Sequence, residues 1–304
     1  MQKHLFIAST GGHLAQLVRL SGAMDASPDS LWMTFDSPQS HSLLDGRRVE
    51  YVPYVSPRDV AGVLRTQRIT NRILRCEGFD VAVSTGAGIA LGAFPMARRH
   101  GIPRTYIESV SRIDGPSLTG QLLYVSRLAD MFTQHPSWAT GRWREHPSVL
   151  TQFVPVAKEP PRAPLRLFVT LGTIRPYRFD SLVNAVLATG LAGPETVWQL
   201  GETSRDDLPG RAVAQLRGAE FVEQAEAADV VITHSGVGTI LALFEMGIHP
   251  VVVPRRSSRK EHVDDHQAQI ARFTRELGIA SSREVAELDA DTIVEASRLA
   301  TAPR

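Results

Sequence analysis

A short apolar run, a turn with two glycines and a helix start follow one another in VVITHSGVGTI, residues 230–240. Ser235, Gly236 and Gly238 let the backbone turn tightly and approach a ligand closely, and Thr239 falls in the first helical turn. The N–H groups at such a helix start, with the helix dipole, form an anion site that suits a diphosphate. The spacing is not GxGxxG and no Lys follows as in a Walker loop, which disfavours dinucleotide and P-loop binding. A purely structural glycine turn is the alternative.

The same order of strand, turn and helix recurs along the chain, which is typical of βαβ units and a parallel sheet. Residues 154–164 interrupt it, because they are rich in proline and lack an apolar period, so they form the best linker. The sequence therefore predicts an α/β protein with two Rossmann-like domains, residues 1–160 and 161–304. Strands are predicted at residues 4–8, 31–34, 49–54, 81–84, 104–108, 131–134, 165–170, 196–200, 230–233 and 250–253, and helices at residues 13–23, 60–76, 239–246 and 264–277.

The composition is that of a globular protein: of 304 residues, 43% are hydrophobic and 21% are charged, with a formal net charge of +1. The lone cysteine, Cys76, excludes an internal disulfide and a thiolate zinc cluster and favours a reducing compartment. No basic run interleaved with aromatic residues is present, so nucleic acid is not an expected partner. The apolar run near the N-terminus is too short for a signal peptide, and no stretch approaches the ~20 residues of a membrane span. We expect a cytoplasmic protein, either free or attached peripherally to the inner face of the plasma membrane.

A second glycine turn, STGGH, occupies residues 9–13 after the first predicted strand. Gly11 and Gly12 leave room for a substrate, and His13 begins the next helix. The helix dipole lowers the pKa of a histidine at such a position and keeps it neutral. A neutral imidazole is what the general base for a sugar hydroxyl requires. A capping or packing histidine is an equally weighted alternative.

A charged cluster, PRRSSRKEHVDDHQ, follows the strand predicted at residues 250–253. Beside a diphosphate site, Asp265, His266 and Gln267 are suited to hydrogen-bond the hydroxyls of a sugar. Zinc is the rival ligand because His262 and His266 are four residues apart, but EHVDDH is not HExxH, so no metal is predicted. A solvated charge cluster is the remaining alternative.

The same cluster contains two adjacent arginines, Arg255 and Arg256. A guanidinium fork is suited to a carboxylate on the donor, as in UDP-glucuronate. Binding of the diphosphate alone is the alternative role for these arginines.

Glu108 follows a predicted strand in YIESVSRIDGPSLTGQLLY, with Arg112 close behind it. This position predicts a catalytic carboxylate, and a structural ion pair with Arg112 is at least as consistent with it.

Three N-terminal segments, STGGH, VSTGAGIALGAFPMA and YIESVSRIDGPSLTGQLLY, resemble the membrane-recruiting, acceptor-binding subunit of bipartite polyprenyl-diphosphate-sugar glycosyltransferases. LFVTLGT, ITHSGVGTILALFEMG and the charged cluster resemble their donor-binding subunit. The two halves follow one another here as in MurG-like enzymes, and the bacterial exopolysaccharide and capsule version is the most similar. The resemblance implies a GT-B fold, in which the parallel sheets of two Rossmann-like domains face a central cleft.

The resemblance implies an inverting transferase that moves a sugar from a UDP-sugar to a polyprenyl-diphosphate-linked glycan, without a cofactor or a metal. His13 would be the base, with Glu108 as its competitor. Ala242 stands where MurG-like enzymes carry a ribose-binding Glu, which leaves Glu245 as the nearest carboxylate. The implied donor site comprises Gly172, Thr173, His234, Ser235, Gly236, Val237, Gly238, Thr239, Glu245, Arg255, Asp265, His266 and Gln267, and the implied acceptor site Gly11, Gly12, Thr85, Gly86, Gly88 and Arg112.

Two other functions remain open, a UDP-sugar 2-epimerase and a non-catalytic nucleotide-sugar-binding subunit. The membrane contact is also open. The apolar residues 87–97, which precede Arg98 and Arg99, predict a buried helix, and a shallow membrane-contacting helix is the alternative. Contact with a lipid-linked acceptor makes this segment the candidate for membrane attachment.

Overall fold

The computed structural model describes residues 1–56, 59–173 and 175–304. The chain divides into two compact units, Met1–Val149 and Leu150–Arg304. Each unit has a parallel sheet covered by helices, in agreement with the order of strands and helices expected from the sequence. The units divide before the proline-rich segment, whereas the sequence places the linker near residue 160.

A seven-stranded sheet forms the centre of the first unit. In chain order the elements are β1 (His4–Ala8), α1 (Gly12–Ser21), β2 (Leu31–Phe35), α2 (Pro38–Leu43), β3 (Arg48–Val52), α3 (Val60–Cys76), β4 (Val81–Gly86), α4 (Gly88–Arg99), β5 (Arg104–Ile107), α5 (Leu118–Ser126), β6 (Asp130–Thr133) and β7 (Trp143–Glu145). The strand order is β3-β2-β1-β4-β5-β6-β7, and all neighbouring pairs are parallel. The order therefore reverses between β1 and β4, and open α/β sheets bind ligands at the carboxyl edge of such a point.

The core of the first unit explains its apolar sequence runs. Strand β1 is buried along its whole length, as expected of a central parallel strand with helices on both faces. In α4, Ile89 and Phe94 have no exposed surface, and a Cβ on Gly92 would lie 2.6 Å from the Cβ of Thr66 in α3. The prediction of a buried helix at residues 87–97 is thus confirmed, and the membrane-contacting alternative is wrong because the apolar side chains face the core. Within the part of the chain that the structure describes, no helix is long and apolar enough to cross a membrane.

The second unit is built around a six-stranded parallel sheet. In chain order its elements are β8 (Phe153–Ala157), β9 (Leu167–Thr170), α6 (Asp180–Ala188), β10 (Val197–Gln199), β11 (Arg211–Val213), α7 (Gly218–Ala227), β12 (Val230–His234), α8 (Val237–Glu245), β13 (Val251–Val253), α9 (His266–Glu276), β14 (Ser281–Ser282), α10 (Ala290–Ala296) and β15 (Leu299–Pro303). The strand order is β11-β10-β9-β12-β13-β14, so the order reverses between β9 and β12.

Strands β8 and β15 form a separate antiparallel ribbon, in which Phe153 is paired with Pro303 and Ala157 with Leu299. The segment predicted as a linker therefore contains a strand. Pro155 lies within it, and a proline is tolerated there because its partner Thr301 turns its own amide away from β8, to the carbonyl of Gly247, so that no ladder hydrogen bond is lost.

Candidate functional site

The predicted donor residues meet at the carboxyl edge of the second sheet, where β9 and β12 lie side by side. Gly172 and Thr173 follow β9, while His234 ends β12 and Ser235 follows it. The chain places these residues at the point where the strand order reverses, as the sequence motif predicts for a ligand site.

Two glycines enclose the imidazole of His234. A Cβ on Gly172 would lie 2.5 Å from its Cε1, and a Cβ on Gly236 would lie 2.2 Å from its Nε2. Gly172 also has a φ of +76°, which a side chain disfavours. The sequence predicts a tight turn and close ligand approach for Gly236, and the packing of the His234 ring between Gly172 and Gly236 is a further role.

The environment of His234 keeps its ring neutral. Burial lowers its pKa to about 3, and the positive charges of Arg255 and His262 act in the same direction. A neutral imidazole has one N–H donor and one lone pair, and both are retained at physiological pH.

The start of α8 has unsatisfied polar groups. Gly236 is its N-cap and supplies no side-chain hydrogen bond. The hydroxyl of Ser235 is buried, with 1% of the residue exposed, and has no hydrogen-bond partner in the described parts of the chain. A buried hydroxyl without a partner costs about 1–3 kcal/mol, which a ligand that accepts a hydrogen bond would recover. The helix start and Ser235 therefore indicate an anion site.

Arg255 is fully buried beneath the site and its guanidinium lies over the ring of Phe179. Nη1 donates to the carbonyl oxygens of Tyr177, Arg178 and Glu261, and Nη2 donates to that of Leu171. Burial lowers its pKa to about 10, so it stays charged at neutral pH.

The predicted carboxylate fork is therefore wrong for this pair of arginines. Both Nη atoms of Arg255 donate to main-chain carbonyls, and Arg256 forms an ion pair with Glu284. Arg255 instead links the loop after β9 to the loop after β13 by hydrogen bonds to main-chain carbonyls of both loops.

The residues predicted to face the donor sugar also organise this loop. Asp265 accepts hydrogen bonds from the amide and hydroxyl of Ser257. Gln267 is buried and its Oε1 accepts a hydrogen bond from the amide of Arg255. His266 is half-buried, and its Nδ1 contacts the carboxylate of Asp264.

Helix α8 has one side that is not buried, and the predicted nucleotide-binding residues lie along it. Gly238, Thr239 and Ala242 are half-buried, and Glu245 is exposed one turn further on. Val237, in contrast, points into the core. The structure thus places Glu245 about two turns away from the helix start.

The predicted acceptor residues meet at the carboxyl edge of the first sheet, between β1 and β4. The Nδ1 of His13 donates to the carbonyl of Thr85 at 2.8 Å, and the hydroxyl of Thr85 donates to the carbonyl of His13 at 2.7 Å. A Cβ on Gly86 would lie 3.0 Å from the Cε1 of His13. Because Nδ1 carries the proton in this hydrogen bond, Nε2 of the neutral ring carries the lone pair.

Two helices begin beside His13. Gly11 precedes α1 and Gly12 begins it, while Gly88 begins α4. The N-cap of α4 is Ala87, whose φ of 68° and ψ of 179° are rare for a residue with a side chain. The predicted acceptor site therefore contains a strained backbone position at Ala87.

Glu108 is fully buried at the end of β5. Its carboxylate accepts hydrogen bonds from the Tyr106 hydroxyl, the Ser109 amide, and the amide and hydroxyl of Ser117. Burial raises its pKa, and the hydrogen bonds from Ser117 and the other donors oppose the rise. These contacts tie the start of α5 to the end of β5, which is the geometry of a positioning group.

A buried amide pair, absent from the sequence prediction, connects this loop to the glycine turn. Nε2 of Gln16 donates to the carbonyl of Gly12 and the hydroxyl of Ser109, while its Oε1 accepts from the amide of Val110 and from Gln134. A glutamine on the buried side of an otherwise apolar helix face is the signal that could have identified it. The main chain of Arg112 lies in the same loop and accepts a hydrogen bond from Trp138.

Comparisons with known proteins agree with this geometry. The model of the glycosyltransferase family 28 C-terminal domain matches residues 210–297. The UDP-N-acetylglucosamine--N-acetylmuramyl-(pentapeptide) pyrophosphoryl-undecaprenol N-acetylglucosamine transferase of Synechococcus sp. (strain WH7803) is 25% identical over 295 residues, with 88% of this chain and 80% of the relative covered.

Solved structures show the same fold. MurG of Acinetobacter baumannii matches with a TM-score of 0.58 at 18% identity, over 96% of this chain and 89% of that one. The UDP-GlcNAc 2-epimerase of Methanocaldococcus jannaschii matches with a TM-score of 0.55 at 9% identity, over 97% and 91% of the two chains. The matched domain and the relative, together with the two Rossmann-like sheets, confirm the fold and the enzyme class expected from the sequence: the chain is a glycosyltransferase with the GT-B fold and is similar to MurG.

Proposed function

We propose that the protein transfers a sugar from a UDP-sugar to a lipid-linked glycan acceptor, with inversion at the anomeric carbon and without a metal ion or other cofactor. The observation that carries the proposal is the buried hydroxyl of Ser235, which has no hydrogen-bond partner among the described residues and lies at the start of α8, where the N-cap Gly236 supplies no side-chain bond. The relative from Synechococcus supports both substrates, since its name contains a UDP-sugar donor and a pyrophosphoryl-undecaprenol acceptor.

The donor diphosphate would bind at the start of α8. The helix amides and the Ser235 hydroxyl supply hydrogen-bond donors, and the helix dipole adds partial positive charge. Arg255 adds a full buried charge, close enough to lower the pKa of His234. This fixed positive potential would stabilise the departing UDP as its negative charge develops, which is the task of a divalent cation in other transferases.

The acceptor would bind in the first unit, with His13 as the base. Nε2 of His13 would take the proton from the acceptor hydroxyl as its oxygen forms a bond to the anomeric carbon. The bond from that carbon to the phosphate oxygen breaks, and UDP leaves with the electron pair. We assign Glu108 to the positioning of the loop behind the acceptor, because its carboxylate already accepts four hydrogen bonds.

We further propose that the bilayer surface contacts the exposed apolar side of α5. Leu118 is 60% exposed, Leu122 47% and Val125 81%, although the opposite side of the helix, with Leu123, is buried. These spacings of four and three residues place the three side chains on one stripe. A stripe of this kind would enter the headgroup region, which is the membrane role first considered for residues 87–97.

Helix α3 supports the same assignment. Val60 is 71% exposed and Leu64 47% at its start. Both α3 and α5 follow strands of the parallel sheet, so they begin at its carboxyl edge, on which His13 also lies. An exposed row of arginines continues along α3 and suits anionic lipids: Arg65, Arg68, Arg72 and Arg75.

The glycan that receives the sugar would belong to exopolysaccharide or cell-envelope polysaccharide synthesis. The motifs PRR and EHVDDHQ, which resemble the exopolysaccharide transferases, support the first of these. The relative's N-acetylmuramyl-(pentapeptide) acceptor supports the second. The two assignments share a membrane-bound diphosphate acceptor.

Calorimetric titration of UDP into the full chain tests the donor site. With EDTA present, we expect binding that added magnesium leaves unchanged. Ser235→Ala should weaken it at least about tenfold, because the variant removes one donor to the phosphate. Ser297→Ala, which removes a buried hydroxyl bonded within α10, is the matched control and should bind UDP normally. Binding that requires magnesium, or wild-type affinity in Ser235→Ala, would contradict the proposal.

A second assay separates the transferase from its rivals. A panel of UDP-sugars with radiolabelled sugar, incubated with a membrane extract, should place label in the lipid fraction. Consumption of the donor without any acceptor would indicate an epimerase, and UDP binding without transfer to any acceptor would indicate a non-catalytic subunit.

A further inference from the structure

Two histidines and an aspartate form a compact cluster immediately before α9. His262, Asp264 and His266 each offer one ligand atom, and these atoms lie within 4.8 Å of one another. Over residues 1–56, 59–173 and 175–304, no other group of three or more His, Cys, Asp or Glu side chains meets this criterion. Of the three residues, His266 also belongs to the implied donor site, and the proposed transfer reaction itself uses no metal.

The surrounding loop holds the cluster in place. His262 is buried, with 7% exposure, and stacks on Tyr177 with a centroid separation of 5.9 Å. His266 is the first residue of α9, and Asp265 fastens the loop to Ser257 through two hydrogen bonds. The three side chains therefore come from a segment with a defined backbone.

The ring nitrogens and the carboxylate of the cluster face one another. Nδ1 of His262 lies 3.4 Å from the amide nitrogen of Asp264, so this side of the ring is turned toward Asp264. The carboxylate Oδ1 of Asp264 lies 3.3 Å from the same nitrogen. A proton or a metal ion can lie between a ring nitrogen and a carboxylate oxygen at this separation.

The second histidine converges on the same carboxylate. Nδ1 of His266 contacts Oδ1 of Asp264, and the rings of His262 and His266 lie 4.8 Å apart at an interplanar angle of 81°. Two imidazole nitrogens and one carboxylate oxygen are a donor set that zinc prefers.

We propose that His262, Asp264 and His266 bind a divalent transition cation of the zinc class. Zinc bonds of about 2.0–2.1 Å in a tetrahedral site separate the ligand atoms by about 3.3 Å. The His262–Asp264 separation has this value, and His266 needs only to withdraw slightly from the carboxylate. A water molecule would complete the tetrahedron. The sequence template HExxH misses this arrangement because Asp264 lies two residues after the first histidine, whereas the template has its glutamate one residue after it.

Zinc titration of the untagged, EDTA-treated full chain tests the proposal, with a fluorescent chelator as competitor and cobalt absorbance as a report of tetrahedral geometry. We expect one zinc ion per chain with micromolar or tighter affinity. Asp264→Asn and His266→Gln should each weaken it at least about tenfold, since each removes one of three protein ligands. Circular dichroism and thermal unfolding, both measured without UDP, would establish that the two variants fold.

His41→Gln is the matched control. His41 also pairs with an aspartate, at 2.8 Å from Asp36, but on an exposed surface. This variant should bind zinc like the wild type. The proposal is overturned if the wild-type chain binds no zinc at micromolar concentrations, which would mean that only a proton occupies the cluster. Unchanged affinity in folded Asp264→Asn would overturn it equally.

Discussion

Thr85 forms hydrogen bonds with both the side chain and the main chain of His13. Its carbonyl oxygen accepts from the imidazole Nδ1 at 2.8 Å, and its hydroxyl donates to the His13 carbonyl oxygen at 2.7 Å. Strand β4 thereby fixes both the position and the tautomer of a residue that begins the helix after β1. The same pairing directs the lone pair of Nε2 away from Thr85, as a base requires.

His13→Ala should therefore lower kcat by about 10²- to 10⁴-fold, the usual contribution of a positioned base. UDP affinity should stay unchanged, because the donor residues belong to the other unit. Thr85→Val keeps the carbonyl and the side-chain shape but loses the hydroxyl, so we expect a smaller fall in kcat. His41→Ala, at an exposed histidine of the same unit, is the control for general effects. Normal turnover in His13→Ala would remove the base assignment.

Gly172→Ala should destabilise the second unit and abolish UDP binding, because its Cβ would collide with the His234 ring at 2.5 Å. Gly190→Ala is the matched control: its φ is +70° against +76° for Gly172, and nothing lies within 4 Å of its Cβ. The control should lose about 1 kcal/mol of unfolding free energy from backbone strain alone. Urea unfolding of both variants measures the difference, and equal losses would show that the ring contact is unimportant.

Ala87→Gly should raise the free energy of unfolding by about 1 kcal/mol. The relief of an unfavourable φ of 68° outweighs the greater flexibility of glycine in the unfolded chain. Ala90→Gly, inside α4, has no such strain to relieve and should destabilise by about 1 kcal/mol. Denaturant unfolding of the two variants should therefore move in opposite directions. A loss of stability in Ala87→Gly would contradict the inferred strain.

Stability should fall as the pH is lowered below about 6.5. Burial lowers the pKa of His234 to about 3 and that of His249 to about 4, from an ordinary value of 6.5. The unfolded chain therefore binds protons that the folded chain excludes, and the stability present above pH 6.5 is lost on acidification, by about 1 kcal/mol per pH unit for each histidine. In His249→Gln the loss between pH 7 and pH 5 should be smaller by about 1–2 kcal/mol, as measured by urea unfolding. An unchanged slope would contradict the burial of His249 as its cause.

Replacing Leu122 and Val125 together by Glu should abolish cosedimentation with vesicles that contain anionic phospholipid. The two charges would have to enter the headgroup region with the apolar stripe of α5. Val222→Glu is the control, since Val222 is a 40% exposed valine on α7 of the second unit. Vesicle binding that survives the double substitution would exclude this side of α5 as the contact.

The alternation of strands and helices was predictable because buried parallel strands form continuous apolar runs. The strand His4–Ala8 and the helix Val60–Cys76 have the predicted bounds. The ribbon strand β8 was missed because its partner, β15, lies about 145 residues later in the sequence, as is roughly expected of non-local strand pairing that no local pattern predicts.

The sequence predicted where the candidate site lies better than it predicted what each residue does there. Glycine turns after strands correctly located both sheet edges, since ligand sites lie at the carboxyl ends of strands. The fate of Arg255 was not predictable, because its burial depends on carbonyls contributed by residues about 80 positions earlier. Whether an arginine faces a ligand or supports the main chain is decided by such distant contacts.

The antiparallel pairing of β8 with β15, in which Phe153 lies opposite Pro303, brings the first and last strands of the second unit side by side. A fragment that starts at Leu150 keeps both strands of this ribbon, so it should fold autonomously. Nucleotide binding could then be studied by spectroscopy in the second unit without the first. The adjacency of its two ends also makes this half of the molecule a good subject for circular permutation, with a short peptide joining the old termini and a new opening in a surface loop.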